Sequence, residues 1–224
     1  MKIFTIIKEQ SNRISDKNFA DINGSPLWWH LLSGPEGLDI TVDTDSGEFL
    51  HQMLSSNLKS IEVIRRLVKH IDWENDEKID SSPVEDMLFD FCKKIDSSDI
   101  VVLTYVTPPF LKKQTILDAV DVLQSNKKAK SIHSVQQVQD FVCLKKGNES
   151  IPINFCTDRV QRTQDLSPML IPKGAFFIAR AGDILRQRSR LPEPVLFFPL
   201  DHLQAIEIDN FKDLEFARIL GNLC

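Results

Sequence analysis

The sequence predicts an α/β protein, a three-layer α/β/α sandwich around a mostly parallel sheet. Short apolar runs of strand length alternate along the chain with stretches of helical period, the pattern that builds parallel sheets with helices on both faces. At 224 residues the chain is long enough to bury one core of ordinary domain size, so 1–224 is read as a single domain. No internal repeat or low-complexity tract interrupts the alternation.

The elements follow in order. Strands are predicted at Ile3–Ile7, Asp39–Val42, Ile61–Ile64, Ile100–Leu103 and Ser131–Val135, each an apolar run. Later strands are Ala175–Ala179, Val195–Phe198 and Ala205–Ile208. Helices are predicted over Pro26–Leu32, Gly47–Met53, Pro83–Ile95, Thr115–Gln124, Gly182–Arg188 and Phe211–Leu220. Thr107-Pro-Pro after a strand marks a stiff loop, because proline fixes φ and removes a donor. Gly147-Asn148, between Phe141–Lys146 and Ile151–Phe155, reads as a hairpin turn. Asp72–Ser82 is the most polar stretch and is expected to be a loop.

The run Gln204–Leu220 carries the most chemical information. On a strand, Glu207 and Asp209 share one face and Ile206 and Ile208 the other. Two carboxylates projecting together suit a hard cation such as Mg²⁺, which prefers oxygen ligands and keeps several waters. The same pattern also describes a solvated strand edge. In the helix that follows, Leu214, Ala217, Ile219 and Leu220 are available to pack on a sheet.

Ligands of open α/β sheets sit beyond the carboxyl ends of the strands. The loop after the first strand, Lys8 to Asn18, holds Lys8, Arg13 and Lys17, which suits a triphosphate and equally suits a solvated charged loop. Thr44-Asp45-Ser46 reads first as a helix cap. His133 lies in an apolar strand, where a satisfied imidazole is expected, and Trp28-Trp29 reads as packing.

Composition narrows the class. A net charge of −5 argues against a nucleic-acid partner, since no basic excess exists to neutralise phosphates. Cys92, Cys143, Cys156 and Cys224 are scattered without a C-x-x-C pair and read as reduced thiols. The five histidines show no metal-ligand spacing, and there is no G-x-S-x-G elbow or Walker loop to support a hydrolase or ATPase. No stretch approaches a bilayer span and the first residues do not resemble a signal peptide, so a cytoplasmic protein without membrane contact is expected.

Several segments, in one order, resemble those of a family. The run Ile206-Glu-Ile-Asp-Asn-Phe-Lys-Asp-Leu-Glu-Phe-Ala is similar to the ending DID-T-x-x-DL-x-x-A of the sugar-acid cytidylyltransferases, which make CMP-activated acylneuraminate and related nonulosonates. Arg162-Thr-Gln-Asp-Leu-Ser-Pro and Lys173-Gly-Ala-Phe-Phe-Ile resemble R-x-QDLPP and NGA-x-Y-I. Val102-Leu-Thr-Tyr-Val-Thr-Pro-Pro-Phe-Leu looks like LLQPTSPLR, and Ser131-Ile-His-Ser-Val like DSVVSV. Ser11-Asn-Arg-Ile-Ser-Asp-Lys-Asn lines up with SKGIPRKN, Asn23-Gly-Ser-Pro-Leu with GKPL, Thr44-Asp45-Ser46 with STDD, and Val63-Ile-Arg65-Arg66 with V-x-RRP.

The resemblance implies a nucleotide-diphospho-sugar transferase-like fold, Mg²⁺, CTP and a sugar-acid acceptor, and a homodimer formed through an excursion at 136–170. It implies catalytic roles for Lys8, Arg13, Lys17 and Asp209, and metal binding by Glu207 and Asp209. Nucleotide contacts fall on Lys8, Ser11, Asn12, Asn18, Arg66, Ser82 and Thr107. Acceptor contacts fall on Tyr105, Arg162, Gln164, Lys173 and Phe177. The chain departs from the family where ARGGSKG is replaced by Lys8, Glu9, Gln10, Ser11 and Asn12, and where Lys173 and Phe177 replace Asn and Tyr. A lysine lacks arginine's bidentate fork, Asn12 removes a cation and Glu9 adds an anion. Three functions are therefore carried forward. The first is CMP transfer from CTP to an α-keto sugar acid for surface glycan synthesis. The second is a catalytically weakened or silent relative that binds nucleotide or a protein, and the third is nucleotidyl transfer to another sugar or from another base.

Overall fold

The computed structural model describes residues 1–9, 14, 16–33, 38–56, 58, 60–74 and 84–223. Its frame is a seven-stranded sheet formed by β1 (Lys2–Ile7), β4 (Asp39–Thr44), β5 (Ile61–Arg65), β6 (Ile100–Thr104), β7 (Ser131–Val138), β10 (Met169–Arg180) and β11 (Val195–Leu200). Two small antiparallel pairs complete the strands: β2 (Asp21–Ile22) with β3 (Ser25–Pro26), and β8 (Cys143–Lys146) with β9 (Glu149–Pro152). Helices are α1 (Leu27–Leu32), α2 (Gly47–Ser55), α3 (Val68–Glu74), α4 (Val84–Cys92), α5 (Lys113–Ser125), α6 (Ala181–Gln187) and α7 (Phe211–Gly221).

The sheet order is β11-β7-β10-β6-β1-β4-β5. Neighbours pair in parallel except β10, which runs antiparallel to both β6 and β7. Strand periodicity divides the core into two layers. Ile3 and Ile7 of β1 join Val102, Phe176 and Ile178 in the cluster packed by α1, α2, α5 and α7. Phe4 and Ile6 join Val101, Leu103, Phe177 and Ala179 in the cluster packed by α4 and α6. Phe4 stacks on Phe91 of α4 at 4.7 Å between ring centroids.

Two sequence expectations are corrected. Ala205–Ile208 is not a strand: the Asp201 side chain and carbonyl accept from the Gln204 and Ala205 N–H groups at 2.8 and 3.0 Å, closing a turn. Beyond it the Ile208 N–H bonds the Thr107 carbonyl at 3.0 Å, a single stitch to a loop rather than a ladder. The polar stretch from Asp72 is not wholly a loop, since α3 reaches Glu74; residues 75–83 lie outside the described residues. The expected hairpin is present as β8–β9, with Gly147 at positive φ in its turn.

Candidate active site

The parallel strands β1, β4, β5 and β6 end at one edge of the sheet, and the segments that follow them meet there. Thr44 ties two of these ends together by donating its hydroxyl to the Ile7 carbonyl at 2.7 Å. Ser46, the expected cap, accepts from the Phe49 N–H at 3.0 Å and starts α2. Beside it the Asp45 carboxylate accepts from the Glu9 N–H at 3.0 Å, so it braces the loop that leaves β1.

Arg66 stands behind this brace. Its guanidinium is fully buried, with Nε donating to Asp43 Oδ1 at 2.9 Å and Nη1 3.3 Å from Asp45. Burial nonetheless pushes the Asp43 carboxyl above its ordinary value, Arg66 opposing. Among the described contacts Arg66 orders the loop after β1 through Asp45. Ser11, Asn12 and Arg13, along with Ser82, lie outside the described residues.

The centre of the crevice is built from several chain segments. Lys17 opens a short 3₁₀ turn and donates Nζ to the Ile208 carbonyl at 3.2 Å, between the two candidate metal ligands. Asn18, buried beside it, donates to the Lys8 carbonyl at 3.0 Å and holds the end of β1 close. Thr107 holds the same segment from the other side through its bond to Ile208. Lys8, Lys17, Asn18, Thr107, Glu207 and Asp209 therefore lie around one place.

A further segment is an irregularity in β10. Its pairing with β7 shifts between Pro172 and Phe177, and this bulge carries Lys173 and Gly174. Ser134 and His133 hold the bulge by donating to the Lys173 carbonyl at 2.7 and 3.1 Å. His133 is thus a satisfied, buried imidazole, as its strand position suggests. Lys173 Nζ lies 4.0 Å from Glu207 Oε2. A Cβ at Gly174 would lie only 2.7 Å from Glu207 Oε1, so glycine is what lets this backbone approach the carboxylate.

Glu207 is held in a tense electrostatic position. Burial raises its carboxyl above the ordinary glutamate value; Lys173, the Gly174 N–H and Lys17 oppose this, and Asp209 adds to it. A cation placed here would favour the ionised form. Among the described residues no group of three His, Cys, Asp or Glu side chains could hold a metal. Magnesium commonly takes only one or two protein carboxylates, with waters and substrate phosphates completing the shell. Glu207 and Asp209 fit that mode. Asp209 is exposed, and its backbone is fixed by the α7 capping box, in which Asp213 accepts from the Asp209 and Asn210 N–H groups at 2.9 Å each.

Tyr105 and Phe177 form the wall beside this centre, edge to face at 6.4 Å. A residue with no sequence signal joins them: Arg190, in the loop between α6 and β11, lies 4.8 Å over the Phe177 ring and donates to the Tyr105 hydroxyl at 3.3 Å. Arg162 and Gln164 are not drawn in. Both are exposed, Arg162 pairs with Asp165 at 2.8 Å, and the Gln164 carbonyl accepts from Gln139 at 3.1 Å.

The fold is that of a nucleotide-diphospho-sugar transferase-like α/β protein. The match to solved structures shows that fold across the chain. CMP:2-keto-3-deoxy-manno-octonic acid synthetase complexed with CTP gives a TM-score of 0.67 at 15% identity, covering 99% of this chain and 98% of that one. The 4-diphosphocytidyl-2C-methyl-D-erythritol synthase of Anaerococcus prevotii gives 0.65 at 14% identity, covering 97% and 95%.

In sequence the chain resembles the acylneuraminate cytidylyltransferases. It is 26% identical, over its whole length, to the N-acylneuraminate cytidylyltransferase of Streptococcus agalactiae serotype V, and 25% to that of serotype III. The chain spans 54% of the length of these relatives. No protein-family model matches it.

Proposed function

We propose that this chain transfers CMP from CTP to the anomeric hydroxyl of an α-keto sugar acid of the nonulosonate kind, releasing pyrophosphate, as a step in surface glycan synthesis. The observation that carries the proposal is the convergence of Lys17, Lys173, Glu207 and Asp209 beyond the ends of the parallel strands. The acceptor oxygen attacks the α-phosphorus in line. The bond from the α-phosphorus to the bridging oxygen breaks, pyrophosphate leaves, and the hydroxyl proton passes to solvent.

Lys8, Arg13 and Lys17 offset the triphosphate charge, the electrostatic contribution that dominates transfers of this type. Ser11, Asn12, Asn18, Ser82 and Thr107 are assigned to the nucleotide, Tyr105, Lys173 and Phe177 to the acceptor, with Arg162 and Gln164 reaching it or a partner copy from the excursion. Glu207 and Asp209 would hold Mg²⁺, which when bound stabilises negative charge on the α-phosphate.

The excursion 136–170 is assigned to a homodimer. Leu144 and Ile151, opposite each other on β8 and β9, are about half exposed there, as is Ile153, a combination that suits burial against a second copy. A cytoplasmic setting fits the free, exposed thiols of Cys143 and Cys156. A second reading, nucleotide binding without turnover, is favoured by the complete burial of the Arg66 side chain against Asp43 and Asp45, which turns this cation away from a nucleotide, and by Glu9 and Asn12 in the loop after β1.

Thermal unfolding with each of the four NTPs, with and without Mg²⁺, tests the nucleotide site. At one hundred times Kd, linkage adds about 2.7 kcal/mol, or roughly 5–10 °C for a domain of this size. The proposal requires a CTP-selective, Mg²⁺-dependent rise, followed by turnover with a sugar acid. Equal shifts with all four NTPs, or none, would count against it.

A further inference from the structure

Resting on the acceptor class proposed above, we infer that Arg190 is the residue that grips the acceptor's carboxylate. Its side chain is one-third exposed, and its ion pair with Glu85 is a loose one. One face lies on the Phe177 ring at 4.8 Å. Phe177 is itself fixed by His133, stacked at 4.4 Å and 26°, and His133 is tied to the Lys173 carbonyl. Nη1 donates to the Tyr105 hydroxyl at 3.3 Å. Glu85 Oε1 stands 3.9 Å from Nε, beyond hydrogen-bonding distance and half exposed. The guanidinium is thus oriented by an aromatic face and a phenol, and among the described residues that phenol is its one hydrogen-bond partner.

Position completes the argument. A Cβ at Gly174 would lie 2.7 Å from Glu207 Oε1 and 3.8 Å from Tyr105 Cδ2. Gly174 thus lies against both Glu207 and Tyr105, and the Tyr105 hydroxyl ends at Arg190. The carboxylate and the anomeric hydroxyl of such an acid are borne on one carbon, so gripping the carboxylate at Arg190 fixes the reacting hydroxyl beside it, on the wall that Tyr105 and Gly174 share with Glu207. Lys173, the other cation on this wall, lies 4.0 Å from Glu207, a pair as loose as that of Arg190 with Glu85. A guanidinium fork takes both oxygens of a carboxylate at once, which a lysine cannot do. An arginine that merely covers Phe177 would be indifferent to the charge of the acceptor.

The test uses the full chain as wild type, Arg190→Gln and Arg190→Lys, with N-acetylneuraminate and its methyl ester as probes. Wild type should prefer the acid. Arg190→Gln should raise the KM of the acid about 10- to 100-fold, leave the KM of CTP and the melting temperature close to wild type, and erase the preference over the ester; Arg190→Lys should keep part of it. An acid-over-ester preference that survives in Arg190→Gln overturns the inference, as does a fall in kcat at unchanged acid KM. If wild type shows no turnover with N-acetylneuraminate, calorimetric titration with the same acid decides this inference separately from the proposed reaction. Binding by wild type that is lost in Arg190→Gln supports it. Equal binding by both, or none by wild type, refutes it.

Discussion

Replacing Gly174 by alanine should damage activity without damaging the fold. The new Cβ would sit 2.7 Å from Glu207 Oε1, and an ordinary contact begins near 3.4 Å, so the carboxylate must retreat by roughly 0.7 Å. The displaced atom is the end of a flexible side chain, and Gly174 is not among the residues at positive φ, so the backbone accepts alanine. Loss of glycine entropy in the unfolded chain even favours the variant by about 0.4–1 kcal/mol. Chemistry is less tolerant, since a misplacement of about 1 Å costs on the order of 100-fold. Steady-state kinetics should show kcat/KM down about 10- to 100-fold, equivalent to ~1.4–2.7 kcal/mol of barrier, with Tm level or slightly raised. The double variant Gly174→Ala/Glu207→Asp, one methylene shorter at the carboxylate, should recover part of the loss. Full activity in Gly174→Ala, or a loss accompanied by a collapse in Tm, would refute the role given to this contact.

Other outcomes follow from the same geometry. Arg66→Ala strands the Asp43 carboxylate in the interior and should cost about 3–5 kcal/mol in urea unfolding; a change below about 1 kcal/mol would show the pair to be dispensable. The carboxyl of Glu207 is raised by burial, so its contribution is most favourable below the ordinary glutamate pKa and is lost as pH rises through the raised value. Glu207→Gln should therefore match or exceed wild-type stability at neutral pH, with the advantage shrinking toward acid, while losing activity; a variant less stable at neutral pH contradicts this sign. Leu144→Lys with Ile151→Lys should convert the proposed dimer to monomer in sedimentation, and a wild type already monomeric at micromolar concentration would remove the dimer assignment.

Much of the architecture was legible because buried parallel strands write themselves as apolar runs, and Ile3–Ile7, Ile100–Leu103 and Ser131–Val135 all lie in the sheet. The segment Ala205–Ile208 misled for the same reason. Ala205 and Ile208 are buried like strand residues, but Asp201 captures the preceding backbone into a turn. The helix α3 went unread because its sequence, VKHIDWE, runs directly into a polar stretch. Of the candidate site, Lys17, Lys173, Glu207 and Asp209 were named from the order of the motifs, and the structure brings them together. Arg190 was not, because it lies in the charged run Arg186 to Arg190, where nothing in the spacing separates a wall residue from solvated neighbours. The interior position of Arg66 was equally hidden, since its partners Asp43 and Asp45 lie some twenty residues away on another strand end.

The central claim is CMP transfer, and pyrophosphate release measures it directly. The purified chain, CTP, Mg²⁺ and a panel of α-keto sugar acids should release pyrophosphate in an amount set by the acid, with a matching CMP-linked product. Release that ignores the acid, or no release under conditions in which an acylneuraminate cytidylyltransferase is active, would contradict the account.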